Sequence, residues 1–376
     1  SSIWRGGAGM GDFGHRKCDG YTLVALTAQD NRMNRYDFLL MLLLFLSALI
    51  VRLYVINDTG FDGLYGQDAY AYYDFAGELR DSIQSGHTPE PFFWSLGYPA
   101  TLMTGFAFLG TNEVTAQWIS IIMGALLAPL TFALASLITR KWQSAIIAGL
   151  LMVVCGQAVQ SSIVVMADIP ALFWATSSAV VLLIWREKQN FWLLALATAL
   201  LTIGGLTRWL VLILAPTWAL AVLWVWGWRV NIKQSAMLCI IVLTIFAPQI
   251  AFSLNNPFPT LNHAWVQGWS PANAFSSSFT NIDGQFNYAQ INARYYAQVY
   301  SDAYYLAPIF APFIALGLWG LWRERRYLPL MLVSAWAFLP YLFLVGIPYQ
   351  NIRFPLIATP TIFVLVGAGF SWILGL

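Results

Sequence analysis

The chain has 376 residues, of which 59% are hydrophobic and 10% are charged, and its formal net charge is +2. Soluble domains carry about 25% charged residues, so this composition predicts an all-α polytopic membrane protein. The small net charge, without a basic cluster, gives no support to nucleic-acid binding. Cys155 and Cys239 fall in apolar segments, which argues against a disulfide framework or a metal knuckle.

Residues 1–36 precede the first apolar segment and are largely polar and glycine-rich. They lack the apolar core of a signal peptide, so we expect a disordered cytoplasmic leader or an upstream extension of the reading frame, and we assign them no function. We expect residues 37–376 to form a single membrane domain, because neither an internal repeat nor a low-complexity linker divides them.

About 20 apolar residues cross a bilayer as a helix, and about ten segments approach this length. The predicted spans are 37–56, 114–138, 143–163, 169–185, 191–206, 209–228, 234–254, 305–322, 327–345 and 354–374. Segment 95–109 is apolar but short, and it contains Gly97-Tyr98-Pro99. Its length favours an interfacial or re-entrant helix over a further span.

The basic residues predict the orientation of these spans. With a cytoplasmic N-terminus and no crossing by segment 95–109, 14 of the 19 Lys and Arg residues face the cytoplasm. This is the positive-inside distribution, and a crossing by 95–109 would invert it. We therefore expect two large loops on the outer face, at about 57–113 and 255–304, in an inner or plasma membrane or an ER-type membrane.

The first outer loop contains the main functional candidate, Asp68, in the acidic and aromatic segment 66–81. Helical spacing places Asp68, Tyr72 and Phe75 on one face, apart from the other acids of this segment. A carboxylate among aromatic side chains can accept a proton from an attacking hydroxyl or help to hold a metal ion. The alternative is a solvated acid on a loop helix.

A second acid, Asp168, stands at the junction of two predicted spans and is followed by Pro170. This position suits a helix N-cap, since proline is common in the first turn. It equally suits a metal ligand shared with Asp68 or a group that orients an acceptor. Asp168 lacks the second acid of an Asp-x-Asp pair, which weakens the case for a tightly held metal.

Arg208 and Arg353 lie at the outer ends of predicted spans. Arginine suits a phosphate because its donors are bidentate and its charge is permanent, although such residues also snorkel to lipid headgroups. Arg52, within the first span, is expected to snorkel. Trp265 and Trp269 in the second outer loop can stack on a sugar or belong to an interfacial aromatic belt.

In their order and spacing, these blocks resemble the integral-membrane glycosyltransferases of the GT-C fold. The resemblance is greatest to the dolichyl-phosphate-mannose protein mannosyltransferase-like group, which includes the lipid A aminoarabinose transferase. It runs over nearly the whole chain from residue 37. The blocks are the Asp68 helix, residues 97–99, Asp168-Ile169-Pro170, residues 205–208 and Arg353-Phe354-Pro355.

The resemblance implies a GT-C-like fold and inverting transfer of a sugar from a polyprenyl-phosphate donor on the non-cytoplasmic face. It implies that Asp68 is a base or acceptor-orienting acid, that Asp168 is the second acid, and that Arg208 and Arg353 hold the donor phosphate. The candidate substrate contacts are Tyr72, Trp265 and Trp269. The aminoarabinose transferase has a lysine before its re-entrant segment, whereas residues 91–96 contain none. Phosphate binding would then rest on the outer arginines.

Three functions stay open from the sequence. The first is a glycosyltransferase whose acceptor is a lipid, a glycan or a protein. Transfer to sequons is not expected, because the chain lacks the Trp-Trp-Asp motif of oligosaccharyltransferases. The second is a non-catalytic accessory or scaffold subunit of a larger membrane complex. The third is a transporter, which the predicted outer-face position of the acids disfavours, because transporters place ionisable groups near mid-membrane.

Overall fold

The computed structural model describes residues 35–227, 231–255, 264–281 and 284–375. Most of the predicted leader, residues 1–34, and the side chain of Trp265 lie outside the described residues. The described helices are α1 Arg35–Thr59, α2 Gly66–Ser85, α3 Gly97–Leu109, α4 Glu113–Thr139, α5 Trp142–Val154, α6 Gly156–Ile163, α7 Asp168–Lys188, α8 Phe191–Thr207, α9 Ala215–Trp226, α10 Ile232–Asn255, α11 Ala264–Gln267, α12 Asn292–Tyr296, α13 Ala311–Arg323, α14 Tyr327–Leu344 and α15 Thr359–Ile373.

Seven helical segments within the described ranges are long and apolar enough to cross a membrane. They are Arg35–Thr59, Glu113–Thr139, Asp168–Lys188, Trp209–Trp226, Ile232–Asn255, Tyr327–Leu344 and Phe354–Ile373. Helices α5 and α6 form an eighth candidate that bends by 53°. The remaining two predicted spans are the shorter apolar helices Phe191–Thr207 and Pro308–Arg323. The predicted helical membrane architecture is therefore confirmed, whereas the count of about ten spans is not.

Helix α2 carries Asp68 and forms because its apolar residues follow helical spacing. Ala69, Tyr72 and Ala76 repeat at three and four residues, and all of them are buried. The helix ends at Gly86, whose φ of 75° places it in the left-handed region and whose N–H donates to the Ser82 carbonyl. The buried face of α2 packs on α3, including Tyr98, and on Phe92 and Trp94, which precede α3. This packing fixes the first turn of α2, where Asp68 lies.

Helix α3 begins where the chain passes very close to the end of α8. A Cβ added to Gly97 would lie 2.5 Å from the carbonyl carbon of Leu206 and 2.5 Å from the backbone nitrogen of Thr207. The Ser95 hydroxyl donates to the Thr207 carbonyl oxygen at 3.2 Å. This crossing lies one residue before Arg208, so it positions the backbone from which that arginine extends.

We predict that Gly97→Ala will destabilise the protein by about 1 to 3 kcal/mol, because the added methyl group meets backbone that has little freedom to move. Thermal unfolding of the purified protein in detergent measures the change. Gly77→Ala in α2 is the matched control. The nearest atom to its added methyl group is a Thr111 carbon at 3.9 Å, and alanine is favoured over glycine in a helix. Equal stability of the two variants would contradict the close packing at Gly97.

The second outer loop contains a short hairpin. Strand β1 Ser278–Asn281 pairs antiparallel with β2 Gly284–Asn287, with Phe279 opposite Phe286. After the hairpin, the loop continues with α12 and a 3-10 turn, Ala297–Tyr300.

Arg52 is fully buried, so the expected snorkelling is wrong. Its Nη1 donates to the Ala48 carbonyl oxygen at 2.9 Å. Its Nε and Nη2 have no hydrogen-bond partner in the described part of the chain.

Candidate active site

Asp68 lies in the first turn of α2, and its side chain is 33% exposed. Its Oδ2 accepts a hydrogen bond from Nη2 of Arg353 at 3.2 Å. The predicted face of α2 is observed, since Tyr72 and Phe75 are both buried one and two turns further on. The carboxylate therefore stands at the edge of an aromatic cluster and is held there by an arginine 285 residues away along the chain.

Asp168 is the first residue of α7, and the N-cap is Ala167, so the N-cap interpretation of Asp168 is wrong. The side chain of Asp168 turns away from the helix end and toward two arginines. Its Oδ1 lies 2.9 Å from Nη1 of Arg208, and its Oδ2 lies 3.6 Å from Nη1 of Arg353. Only 4% of the side chain is exposed. A carboxylate this deeply buried is stable only when opposite charge accompanies it.

Arg208 stands at an elbow between two helical segments. Helix α8 ends at Thr207, Arg208 adopts an extended backbone, and a 3-10 turn, Trp209–Leu214, follows. Its guanidinium lies over the ring of Phe354, with 4.9 Å between Cζ and the ring centroid, which adds a cation–π contact to the ion pair. The side chain is fixed on two sides and is 22% exposed.

Arg353 precedes the 3-10 turn Phe354–Ala358, which leads into α15. It contacts both acids, and its Nη1 also lies against the sulfur of Met166. The Oδ1 of Asn351 accepts from the backbone N–H of Arg353 at 3.0 Å and from its Nε at 3.3 Å. Burial lowers the pKa of Arg353, but the carboxylates of Asp168 and Asp68 outweigh it and hold the pKa above its ordinary value. Arg353 is therefore a permanent cation.

These four side chains, Asp68, Asp168, Arg208 and Arg353, form one network that we call the ion quartet. Three separate pairs connect them, and they come from four distant parts of the sequence. A small cavity beside the quartet is lined by three of its members and by apolar residues. The lining includes Asp168, Arg208, Arg353, Phe354, Leu172 and Val211. One carboxylate, two guanidinium groups and several apolar side chains therefore border this cavity.

Tyr72 lies one helical turn beyond Asp68 and packs edge-on against Tyr98, with 5.1 Å between the ring centroids. Burial raises the pKa of Tyr72, and the two acids of the quartet act in the same direction, while the arginines oppose them. Its hydroxyl has no hydrogen-bond partner among the described residues. The hydroxyl is therefore a neutral donor that remains available close to the quartet.

Trp269, in the second loop, contacts the end of α14 and no member of the quartet in the described structure. The indole nitrogen of Trp269 donates to the Phe343 carbonyl oxygen at 2.9 Å, and its ring lies against Gly346. Trp269 therefore ties the second loop to the end of α14, while its 41% exposure leaves part of the ring open. The side chain of Trp265 lies outside the described residues.

Sequence reasoning missed the supporting residues around Arg353, namely Met166 and Asn351. Asn351 precedes the arginine by two residues, where a short polar side chain commonly bonds to a backbone N–H. The spacing of Asn351 and Arg353 could therefore have predicted this hydrogen bond from the sequence. Met166 gave no comparable signal, because its role depends on contact across 187 residues of sequence.

The positions of the side chains around Asp68 and Asp168 disfavour the predicted role of these two acids as metal ligands. Among the described residues, no group of three or more His, Cys, Asp or Glu side chains is placed to hold a metal ion. The carboxylates of the two acids instead face the guanidinium groups of Arg353 and Arg208. This donor set does not fit a resident divalent cation, because the oxygens it would use are already opposed by positive charge.

Comparison with solved structures defines the class of fold. ArnT from Cupriavidus metallidurans, bound to undecaprenyl phosphate, aligns with a TM-score of 0.65 and 16% identity over 89% of this chain and 60% of its own. The archaeal oligosaccharyltransferase AglB from Archaeoglobus fulgidus, in complex with an inhibitory peptide and a dolichol-phosphate, aligns with a TM-score of 0.60 and 14% identity over 91% of this chain and 50% of its own. The chain is an integral membrane protein of the GT-C fold, and it spans about half to three fifths of the length of these structures.

The sequence itself gives the family. Residues 39–258, more than half of the chain, match the family model for dolichyl-phosphate-mannose-protein mannosyltransferase. The chain belongs to that family, and the resemblance found from the sequence blocks is confirmed. A comparison with curated proteins found no match.

Proposed function

We propose that the chain is a glycosyltransferase that moves a sugar from a polyprenyl-phosphate donor to an acceptor hydroxyl on the non-cytoplasmic face. The observation that carries the proposal is the ion quartet, in which the partly exposed carboxylate of Asp68 contacts Arg353, and Asp168 links Arg353 to Arg208. Family membership and the GT-C fold support the same reaction class. The acceptor is a lipid, a glycan or a protein, and the proposal includes a cytoplasmic N-terminus with the quartet on the outer face.

In the proposed reaction the acceptor hydroxyl meets Asp68 and attacks the anomeric carbon of the donor sugar. A bond forms between the acceptor oxygen and that carbon, and the proton passes to an Asp68 oxygen. The bond from the anomeric carbon to the phosphate oxygen breaks with its electron pair, so free polyprenyl phosphate leaves. Arg353 and Arg208 stabilise the charge that develops on the phosphate. Asp168 acts as a positioning residue, since it orients both guanidinium groups.

The function is tested with the purified chain in lipid nanodiscs and radiolabelled polyprenyl-phosphate mannose or aminoarabinose. We expect binding of the donor lipid and, with a suitable membrane extract as the source of acceptor, release of free polyprenyl phosphate. Failure to bind any polyprenyl phosphate, together with co-purification in fixed stoichiometry with other subunits, would favour the scaffold alternative instead.

We propose that Tyr72 contacts the substrate through its hydroxyl, and Tyr72→Phe separates this role from packing. The ring contacts remain in the variant, so stability is expected to change by less than about 0.5 kcal/mol. Transfer is expected to fall about tenfold, the loss of one hydrogen bond to substrate. Thermal unfolding and initial rates measure the two effects. Tyr70→Phe on the exposed side of α2 is the control, and an equal rate in both variants would refute the contact.

A further inference from the structure

Arg353 forms ion pairs with two acids, and the two pairs differ in their exposure to solvent. Its partner Asp168 is 4% exposed and has a second, closer arginine, whereas its partner Asp68 is 33% exposed. An ion pair near water is weaker than one that is enclosed, because solvent competes for both charges. The contact between Arg353 and Asp68 is therefore the one in the quartet that yields most readily to a competing anion.

The charges of the quartet sum to zero, with two carboxylates against two guanidinium groups. A phosphate that enters beside Arg353 adds a further negative charge without a cation of its own. Phosphate oxygens bind the same paired N–H groups of a guanidinium that a carboxylate uses. Asp68 already occupies Nη2 of Arg353, so the phosphate and the Asp68 carboxylate compete for one set of donors.

We propose that the donor phosphate displaces Asp68 from Arg353, so that binding of the donor itself frees the carboxylate that acts as base. Arg353 passes from the carboxylate to the phosphate, while Arg208 and Asp168 stay paired and keep Arg353 in place from the buried side. Without donor, Asp68 is neutralised by its arginine. The inference rests on the proposed function, since it takes Asp68 as the base and a lipid phosphate as the ligand.

The exchange makes an unusual prediction about affinity, because removing the base should strengthen binding of the lipid phosphate. The probe is undecaprenyl phosphate, titrated against the full chain in nanodiscs. Asp68→Asn is expected to bind undecaprenyl phosphate about 5- to 10-fold more tightly than wild type, because the phosphate no longer competes with the Asp68 carboxylate for Arg353. Asp68→Glu keeps the competing charge and is expected to stay near wild type. Asp74→Asn, an exposed acid of the same helix, is expected to leave affinity unchanged.

Equal or weaker affinity in a folded Asp68→Asn variant overturns the exchange and leaves the proposed function intact. A wild-type chain that binds no undecaprenyl phosphate overturns both. A structure of the wild-type chain with undecaprenyl phosphate bound checks the exchange without any substitution. We expect the distance between Arg353 Nη2 and Asp68 Oδ2 to exceed about 4 Å, the limit of an ion pair. A retained contact in that complex overturns the exchange.

Discussion

Replacing Asp68 by asparagine is expected to lower sugar transfer by about 100- to 10,000-fold, the usual contribution of a positioned general base. Asparagine keeps the size of the side chain but cannot accept the proton of the attacking hydroxyl. The fold should survive, because Asp68 is partly exposed and the packing of α2 depends on Ala69, Tyr72 and Ala76 instead. The initial rate of transfer from a labelled polyprenyl-phosphate sugar, at saturating donor, measures the loss.

Saturating donor matters for this experiment, because the variant is also expected to bind lipid phosphate more tightly. Asp74→Asn is the matched control, since Asp74 lies on the exposed side of the same helix and contacts no member of the quartet in the described structure. Its rate should equal that of wild type. A folded Asp68→Asn variant with the wild-type rate would remove Asp68 from the reaction and transfer the search for the base to another residue.

Replacing Asp168 by alanine is expected to destabilise the protein by about 3 to 5 kcal/mol, because it leaves two partly buried arginines without their shared acid. Arg208 loses its ion pair at 2.9 Å, and Arg353 keeps Asp68 as its one acidic partner among the described residues. Both guanidinium groups line the same cavity, and without the Asp168 carboxylate their positive charges would repel each other. Thermal unfolding in detergent measures the loss, and transfer should fall with it because both arginines lose their orientation.

Glu187 provides the control for Asp168, since it lies near the other end of the same helix α7. It pairs with Arg140 at 3.4 Å, and the two side chains are 30% and 50% exposed. Exposed pairs contribute about 0 to 1 kcal/mol, so Glu187→Ala should change stability little. If Asp168→Ala and Glu187→Ala lost equal stability, the quartet would not be the structural support that its burial indicates. The coupling energy of the pair follows from Asp168→Ala, Arg208→Ala and the double variant measured together.

The helices could be predicted from the sequence because lipid leaves the backbone few alternatives. Each predicted span is mainly helical over its described residues, since a segment in hydrocarbon must satisfy its own N–H and C=O groups. The bend at Cys155, between α5 and α6, was not predicted, because apolar composition is continuous across it. The hairpin of β1 and β2 was not predicted, because strands of only four residues are too short to show a clear alternation of apolar and polar residues.

The candidate residues could be named from the sequence, but the contacts between their side chains could not be predicted from it. Asp168, Arg208 and Arg353 each stood out as a charge at the end of an apolar segment, where an ionisable group is costly, and Asp68 stood out as an acid among aromatic residues. The N-cap interpretation of Asp168 failed because local helix signals cannot register a cation 40 residues away in sequence. The metal hypothesis treated the two acids as neighbours of each other, whereas Arg353 stands between them and contacts both.

The membrane environment, the helical class and the family follow from the amino-acid sequence, since composition, apolar length and ordered blocks are properties of the chain alone. The fold was needed to show that two acids and two arginines form one network, and that Arg353 contacts both acids. Ion pairing depends on distances of about 3 to 4 Å between side chains, and helix packing sets those distances. The close passage of Gly97 past the end of α8 is one such packing contact, and it lies beside Arg208.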